Sequence, residues 1–407
     1  MAATESKQNR IIHISSLVLT KTADGMIDPK LVLAWLLNAI GAPGYLVGLL
    51  VPTREAGALL PQLLLARLIE RSKRRKKFWV AGSAIQGVCA LGMAGAAYLF
   101  SGALAGWLIL LFLAVLAVAR SACSASYKDV LARTVKKGQR GKISGAAGTI
   151  AAVAVFAFAI LLSVDILPLN AGVISGVVAL AGMFWLLGAG AFSQLDEPED
   201  ETASADNRSL SSLLEPLQDD PELQTYIAAR ALLISTALAP PFLVLLGNVQ
   251  TSDLGNLGVL MIASSVAAIL SSYLWGAFAD RSSRQTLMAA GAVSAVTLIF
   301  SAVAGIIGMG NSSNWFIPAF VFIAQIAYHG ARAGRKTHLT DMDTDGRKSV
   351  YTALSNTVIG IMLLMGGALG LISDLFGPQF VLAILGCLSG LAVLVAYRLS
   401  EVQAETT

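Results

Sequence analysis

Long apolar stretches, separated by short polar ones, run along almost the whole chain. A helix needs about 20 apolar residues to cross the hydrocarbon core of a bilayer, and most of these stretches reach that length. Only 13% of the residues are charged, whereas a soluble domain carries about 25%. Backbone groups inside a bilayer must satisfy their own hydrogen bonds, which favours helices as the spanning elements. The sequence therefore predicts an all-α integral membrane protein.

The hydropathy pattern predicts twelve membrane-spanning helices in two halves. A polar, acidic stretch at 193–222 separates the sixth span from the seventh and is typical of a solvated cytoplasmic linker. We therefore expect an N-terminal six-helix bundle at 1–192, and a C-terminal six-helix bundle with a short tail at 223–407. The spans are expected near 12–38, 43–66, 78–100, 104–126, 144–164, 170–192, 223–246, 254–277, 285–308, 314–333, 349–373 and 378–398.

A basic motif recurs after the second apolar stretch of each half. Residues 276–284 read Gly-Ala-Phe-Ala-Asp-Arg-Ser-Ser-Arg, and residues 66–74 read Ala-Arg-Leu-Ile-Glu-Arg-Ser-Lys-Arg. The copies lie 210 residues apart, and the first has Ala for Gly and Glu for Asp. A second repeat supports this offset, because Arg140 and Arg347 lie 207 residues apart in similar basic loops. One copy alone would favour a basic loop without a switching role, but its repetition in both halves favours a functional one.

The repeated motif resembles the G-x-x-x-D-R-x-x-R signature of the major facilitator superfamily, found between helices 2 and 3 and again between helices 8 and 9. The resemblance implies two pseudo-symmetric six-helix bundles and a secondary transporter that works by alternating access. It also implies a cytoplasmic gate, in which a glycine allows close helix approach and charged side chains bond across helix ends. The gate residues would be Gly276, Asp280, Arg281 and Arg284 in the second copy, and Glu70, Arg71 and Arg74 in the first.

Among the loops between the predicted spans, lysine and arginine occur only in alternate ones. The loops after the second, fourth, eighth and tenth spans are basic, whereas the opposite loops contain neither residue: 39–43, 101–103, 165–169, 247–253, 309–313 and 374–377. Basic loops stay on the cytoplasmic side, so we expect both termini in the cytoplasm. The first residues lack a short apolar core followed by a small-residue cleavage site, so we expect no cleaved signal peptide. We expect a multi-pass monomer in a cell inner membrane, surrounded by membrane lipid.

Three charged residues share one face of the first span. Lys21, Asp24 and Asp28 are spaced i, i+3 and i+7, which brings them to the same side of a helix. Pro29 follows directly, and a proline inside a helical pattern bends or ends the helix. The sequence predicts a bent or broken first span, a common device near transport sites.

Two further charges, Arg54 and Glu55, lie about halfway along the second span. A charge at the bilayer centre costs about 2.5–3.5 kcal/mol on insertion scales, so retained charges usually face a cavity or a partner. We expect Arg54 to pair with Asp24 or Asp28, and Glu55 to pair with Lys21. Two interpretations remain open. The carboxylates carry protons with Arg54 as their partner, or the charges form a static network that joins the two helices.

Two arginines lie on spans that face a central cavity in the family that the motif resembles. Arg120 on the fourth span and Arg230 on the seventh would suit a small organic anion, because guanidinium binds carboxylate in a bidentate manner. Lys21 in the first span, with Tyr328 and His329 at the end of the tenth, completes the candidate substrate-binding residues. The alternatives are arginines that extend to lipid phosphates and a histidine that is only interfacial.

Motifs of other protein classes are missing from the sequence. It contains no G-x-x-x-x-G-K-[ST], G-x-S-x-G or H-E-x-x-H pattern, and Cys89, Cys123 and Cys387 lack metal-site spacing. We therefore expect no enzymatic activity, no cofactor, no metal and no nucleic-acid partner. The sequence favours a proton-coupled permease for a small-molecule substrate. The alternative is a non-transporting membrane sensor or assembly factor, whose acidic linker contacts a soluble partner.

The orientation is testable by cysteine labelling of intact cells, after replacement of the three native cysteines. Ser101→Cys, in the loop after the third span, should react with a membrane-impermeant maleimide added from outside. Lys73→Cys, in the basic loop after the second span, should react only after permeabilisation, because basic loops stay on the cytoplasmic side. The reverse labelling pattern would place both termini outside.

Overall fold

The computed structural model describes residues 7–62, 65, 68–69, 72–136, 139–164, 166, 169–199, 217, 219–251, 257–308, 315–342 and 348–403. The regular elements in these residues are all helices, so the all-α prediction is confirmed for this part of the chain. The chain forms two compact units. One comprises residues 1–42 and 53–207, and the other comprises residues 43–52 and 208–407.

The helices within these ranges are numbered in chain order. They are α1 (Lys7–Met26), α2 (Val32–Ala39), α3 (Gly44–Leu59), α4 (Lys76–Leu99), α5 (Gly102–Thr134), α6 (Arg140–Ser163), α7 (Ala171–Ser193), α8 (Pro221–Leu232), α9 (Ile234–Thr251), α10 (Leu257–Arg281), α11 (Ser283–Ile306), α12 (Phe316–Asp341), α13 (Lys348–Gly366), α14 (Leu369–Phe376) and α15 (Pro378–Ala396).

Small residues bring the helices of the first unit close together. There α4 packs against α5 and α7, and α1 packs against α6 and α7. A Cβ added to Gly87 of α4 would lie 2.8 Å from the carbonyl oxygen of Gly182 on α7. A Cβ added to Gly82 would lie 2.7 Å from the carbonyl oxygen of Ala119 on α5. Lipid offers no hydrophobic drive for helix association, so such close contacts hold the helices together.

The second unit repeats this packing order. Here α11 packs against α12 and α15, while α8 and α9 pack against α15. Glycine again lies at the contact, because a Cβ on Gly291 of α11 would lie 3.1 Å from the carbonyl oxygen of Ser389 on α15. In each unit, the helix of the third predicted span of that half therefore contacts the helices of the fourth and sixth. The repeat of the basic motif predicts such a correspondence between the two halves.

Nine segments of the described helices are long and apolar enough to cross a membrane, so the chain is a multi-pass membrane protein. Three predicted spans are not among them, for identifiable reasons. The first is divided between α1 and α2, and the second is represented by α3, which has 16 residues. The tenth corresponds to α12, where Gln325, His329 and Arg332 lower the mean hydropathy. The total of twelve spans remains a prediction.

The first predicted span breaks at residues 27–31, between α1 and α2. Pro29 has no backbone N–H and cannot continue the helical hydrogen bonds. Asp28 organises the break: its Oδ1 accepts a hydrogen bond of 3.0 Å from the Lys30 amide, and its carbonyl accepts one of 3.1 Å from the Leu33 amide. The interruption expected from Pro29 is confirmed, and the Asp28 carboxylate stabilises the turn.

The first residues of α3 belong to the second unit, where they approach α14 very closely. A Cβ on Gly48 would lie 2.7 Å from Gly370 Cα, and a Cβ on Gly370 would lie 2.7 Å from Tyr45 Cα. The Tyr45 amide also donates a hydrogen bond of 3.0 Å to Asp374 Oδ2. The first amides of a helix have no partner within it, so Asp374 caps α3 from a distant part of the sequence.

This contact predicts an asymmetry between two glycines. Gly370→Ala should lower the melting temperature in detergent, because the new methyl group would press on the backbone of Tyr45 and overpacking costs about 1–3 kcal/mol. Gly95→Ala in α4 is the matched control, since no atom lies within 4 Å of the place its Cβ would take. It should melt at or slightly above the wild-type temperature, because Ala favours helix over Gly. Equal melting temperatures for the two variants would contradict the close contact.

Candidate functional site

A buried group of charges in the first unit centres on Asp24 of α1. Arg54 of α3 donates a hydrogen bond of 2.6 Å from Nη2 to Asp24 Oδ1. Arg120 of α5 donates from Nη1 to the same oxygen. One carboxylate oxygen therefore serves two guanidinium groups that come from different helices. The ion pair expected between Arg54 and Asp24 is confirmed.

The accessible surface of these three side chains increases from one end of the group to the other. The side chain of Arg54 is 8% exposed, that of Asp24 is 22% exposed and that of Arg120 is 38% exposed. Arg54 Nη1 is buried and has no hydrogen-bond partner among the described residues. The group thus has a buried donor at one end and an accessible guanidinium at the other.

Three further charges surround this centre. Asp28 and Glu55 act electrostatically on Arg54, and Glu55 also acts on Arg120. Lys21 interacts electrostatically with both Asp24 and Arg120. We call these six residues the charge cluster: Lys21, Asp24, Asp28, Arg54, Glu55 and Arg120. The structure brings together every charged residue singled out on the first and second spans and adds Arg120 from the fourth.

Two expectations about the charge cluster need correction. One alternative had Arg120 extending to lipid phosphates, but it shares Asp24 with Arg54, because α5 brings its guanidinium to α1. Lys21 was expected to pair with Glu55, but its Nζ donates a hydrogen bond of 3.2 Å to the Ser144 carbonyl on α6. Sequence spacing places residues on one face of a helix, whereas the neighbouring helix decides which partner they meet.

Arg230, the candidate from the seventh span, lies in the second unit. It is buried, with 8% of its surface exposed. Its Nη1 donates a hydrogen bond of 2.6 Å to Ser355 Oγ, and its Nη2 donates one of 2.9 Å to Asn356 Oδ1 on the same helix, α13. The guanidinium therefore faces protein rather than lipid. Tyr328 and His329 are half-buried on α12, with an edge-to-face contact between their rings.

The gate residues of the repeated motif behave differently from the expectation. Gly276 makes no close helix contact, because no atom lies within 4 Å of the place its Cβ would take. Asp280 and Arg281 are exposed, while Arg284 Nε lies 3.4 Å from Glu401 Oε2. In the first copy, Arg74 pairs with Glu199 at 3.0 Å, and both side chains are about half exposed. Glu70 and Arg71 lie outside the described residues.

The carboxylate of Glu197, which the sequence analysis did not identify, caps the start of α4. Glu197 is buried, and its two oxygens accept hydrogen bonds from the backbone amides of Arg75 at 3.2 Å and Lys76 at 2.8 Å. These amides lie at the start of α4, where helical N–H groups need partners and a negative charge is favourable. The segment after α7 is thereby fastened to the loop that carries the first copy of the motif.

The second unit has an equivalent contact. Glu401 Oε2 accepts a hydrogen bond of 2.6 Å from Ser282 Oγ, and Ser282 caps the start of α11. Buried beside it, His338 of α12 has its Nδ1 3.0 Å from Ser283 Oγ. Gln403 Oε1 also accepts from the Ser283 amide at 2.9 Å. The segment after α15 is thus fastened to the second copy of the motif.

Both contacts follow from one short repeat. Leu195 and Glu197 after α7 correspond to Leu399 and Glu401 after α15, at a spacing of 204 residues. Both leucines are buried, at 0% and 1% exposed. We call these two segments, 195–199 and 399–403, the acidic clamps. A search for leucine followed by glutamate two residues later, repeated at a spacing within a few residues of the 207 and 210 seen for the basic motifs, would have found them.

Comparisons with known proteins identify the fold. No protein-family model matches the chain, and no curated protein does so. The structure of the nucleoside transporter NupG is similar, with a TM-score of 0.74 and 10% identity over 96% of this chain and 99% of that one. Two structures of POT family transporters, bound to a thioalcohol-conjugated peptide and to 5-aminolevulinic acid, have TM-scores of 0.73 and 0.72 at 10% and 9% identity. Each covers 95% of this chain and 94% of the other. The chain therefore has the fold of these transporters.

The acidic clamps predict a local effect at the basic loop. Glu197→Ala should lower the melting temperature in detergent and speed tryptic cleavage at 73–77, because it leaves two amides unpaired, at about 1–3 kcal/mol each. Asp196→Ala removes an equal charge from the exposed neighbouring side chain and should change neither quantity. Equal cleavage rates in the two variants would show that Glu197 does not hold the loop.

Proposed function

We propose that the protein is a secondary active transporter of the major facilitator type that moves a small solute by alternating access, with proton coupling. The proposal includes twelve helices in two six-helix bundles and a monomer in a cell inner membrane with both termini cytoplasmic. The transporter fold and the repeated basic motif support it. An acidic linker and the absence of basic residues from alternate loops support the assignment of sides.

The observation that carries the proposal is the charge cluster. Charges are costly in a membrane helix and usually mark a pathway for ions or substrate. Six of them converge in one unit of this chain, around a carboxylate that two arginines share. A buried ion pair adds little stability over apolar side chains of the same volume. Retention of so many charges is therefore better explained by function than by stability.

We place proton coupling on the carboxylates of the cluster. Asp24 is 22% exposed, so protons can reach it, and its charge decides how strongly Arg54 and Arg120 are neutralised. Glu55 acts on the same two arginines. Asp28 instead holds the break between α1 and α2, so its substitution would disturb the backbone as well. We assign coupling to Asp24 and Glu55 and a positioning role to Asp28.

Arg230 extends the proposal to the second unit. Its guanidinium is held in position by hydrogen bonds to two uncharged side chains, those of Ser355 and Asn356. Such an arginine would suit a carboxylate-bearing solute. We propose that Arg120 and Arg230 bind the substrate, with Lys21, Tyr328 and His329 as further candidates. The acidic clamps, together with Arg74 and Arg284, would stabilise the cytoplasmic ends of the helices during the cycle.

The proposal is tested with purified protein in liposomes that contain a pH-sensitive dye. Organic acids, amino acids, nucleosides, peptides and sugars are added singly to the wild type, Asp24→Asn and Glu55→Gln. At least one compound should move protons with the wild type, and neutral substitution of the coupling carboxylate should reduce that movement by tenfold or more. Transport should remain in Asp219→Asn, a control at a described residue outside the cluster.

Two results would contradict the proposal. Proton movement that persists unchanged in both cluster variants would remove Asp24 and Glu55 from the mechanism. A protein that binds a compound from the panel, yet moves neither protons nor that compound when labelled, would support the sensor interpretation. Melting temperatures of each variant must accompany the assay, because loss of the shared carboxylate leaves buried arginines unpaired and destabilises the fold.

A further inference from the structure

We propose that Arg54 and Arg120 form a binding site for the carboxylate of a small organic anion, and that Asp24 occupies this site until it is protonated. This inference deepens the proposed transport function and rests on it for its role. It assigns Arg54 to the substrate site rather than to proton coupling. It also identifies the event that couples binding of the proton to binding of the anion. That event is the neutralisation of the Asp24 carboxylate, which lies between two guanidinium groups.

The arrangement of hydrogen bonds supports such a site. Two guanidinium groups converge on the single oxygen Oδ1 of Asp24. Arg54 is more than nine-tenths buried, and its Nη1 has no hydrogen-bond partner among the described residues. Buried polar groups normally have partners, so an unsatisfied N–H group of a buried arginine calls for a further acceptor. A second carboxylate, supplied by a solute, provides oxygens for donors that Asp24 leaves unused.

The charges of the site favour an anion only in one protonation state. With Asp24 ionised, its negative charge occupies the position between Arg54 and Arg120. When hydronium transfers a proton to the carboxylate and leaves as water, Asp24 becomes neutral and both guanidinium groups lose their shared counterion. Glu55 still acts on both arginines, and Asp28 still acts on Arg54. An anion that then binds restores the charge balance. No other covalent bond is made or broken, and the proton and the anion enter together.

We expect a solute to reach the site through Arg120, the most exposed of the three side chains. Its side chain is 38% exposed, compared with 22% for Asp24 and 8% for Arg54. A small solute can therefore contact Arg120 first and then reach the buried donors of Arg54. Lys21 adds a third positive charge near Asp24 and Arg120. These exposures and charges fit a small organic molecule with one carboxylate, because only the carboxylate has to reach the buried guanidinium of Arg54.

Linkage gives the proposal a quantitative form. Suppose that the anion binds only when Asp24 is protonated. Bound anion must then raise the proton affinity of Asp24 by the same factor by which protonation of Asp24 raises the affinity for the anion. With one coupled proton, the dissociation constant of the anion should fall about tenfold for each unit by which the pH is lowered. This holds over the range in which Asp24 is ionised in the free protein. Replacing Asp24 by a neutral residue should abolish this dependence.

The test uses formate, the smallest carboxylate, with formamide as an uncharged molecule of similar size. Thermal unfolding of the full-length protein in detergent is followed across a formate titration at several pH values and constant ionic strength. Formate should stabilise the wild type more strongly as the pH falls. It should stabilise Asp24→Ala strongly at neutral pH too, because it fills the place of the missing carboxylate. Formamide should have no such effect.

Further variants separate the site from general salt effects. Adding Arg54→Gln to Asp24→Ala should abolish the response to formate, whereas Asp219→Asn, outside the charge cluster, should respond as the wild type does. If Asp24→Ala does not fold, Asp24→Asn keeps the shape of the side chain and should show the same pH-independent response. If neither variant folds, the pH dependence of the stabilisation of the wild type by formate tests the proposal.

The proposal is overturned if formate fails to stabilise Asp24→Ala more than Asp219→Asn at neutral pH, or if the wild-type response does not strengthen as the pH falls. These results are distinct from failure of the transport proposal. A protein that binds formate as described but moves no solute in liposomes keeps the site and loses the transport function. A protein that transports but lacks this response keeps the function and binds its substrate elsewhere.

Discussion

Hydrocarbon does not solvate charge, and the interior of this protein is organised around that constraint. Asp24, Arg54 and Arg120 come from three helices, and the Asp24 carboxylate supplies the counter-charge for both arginines. Removing any one of them would leave an uncompensated charge, which typically costs about 3–5 kcal/mol. The charge cluster therefore ties α1, α3 and α5 together electrostatically, and the same arrangement makes it sensitive to the gain of one proton or one anion.

The ends of the helices meet a related requirement, since their first amides have no partners within the helix. Acidic or hydroxyl side chains supply the acceptors: Glu197 for α4, Asp374 for α3, Asp220 for α8 and Ser282 for α11. Several of these acceptors come from distant parts of the sequence. Capping therefore also fixes how helices are arranged within each unit. The acidic clamps are the clearest case, because each fastens the segment after one helix to the start of another.

Much of the fold was predictable because it depends on local properties of the sequence. Length and hydropathy identified the helices, and Pro29 identified the break in the first span. The twin motifs indicated a repeat, which the packing of the two units reflects. The first, second and tenth predicted spans are not among the helical segments that are long and apolar enough to cross a membrane, because they are broken, short or polar. Their sequences carry the charges and polar groups that the proposed function uses, apart from Arg120 and Arg230 on the fourth and seventh spans.

The site was predictable only in part, because partners depend on which helices are neighbours. Spacing identified Asp24 and Arg54, but nothing local to Arg120 showed that α5 would bring it to Asp24. Gly276 matched a family pattern, yet it makes no close contact in this structure. Glu197 and Glu401 were overlooked because each was taken as part of a polar stretch. Their shared spacing was visible in the sequence, but the hydrogen bonds that give it meaning were not.

The most direct test of this view is the protonation state of Asp24, measured by infrared difference spectroscopy as formate binds. With isotope-labelled formate, the bands of the ligand are separated from those of the protein. We predict that formate at constant pH produces the carbonyl band of one protonated carboxyl group, and that Asp24→Asn removes this band. A band that persists in Asp24→Asn, or no band in a wild type that binds formate, would contradict the coupling of anion and proton at Asp24.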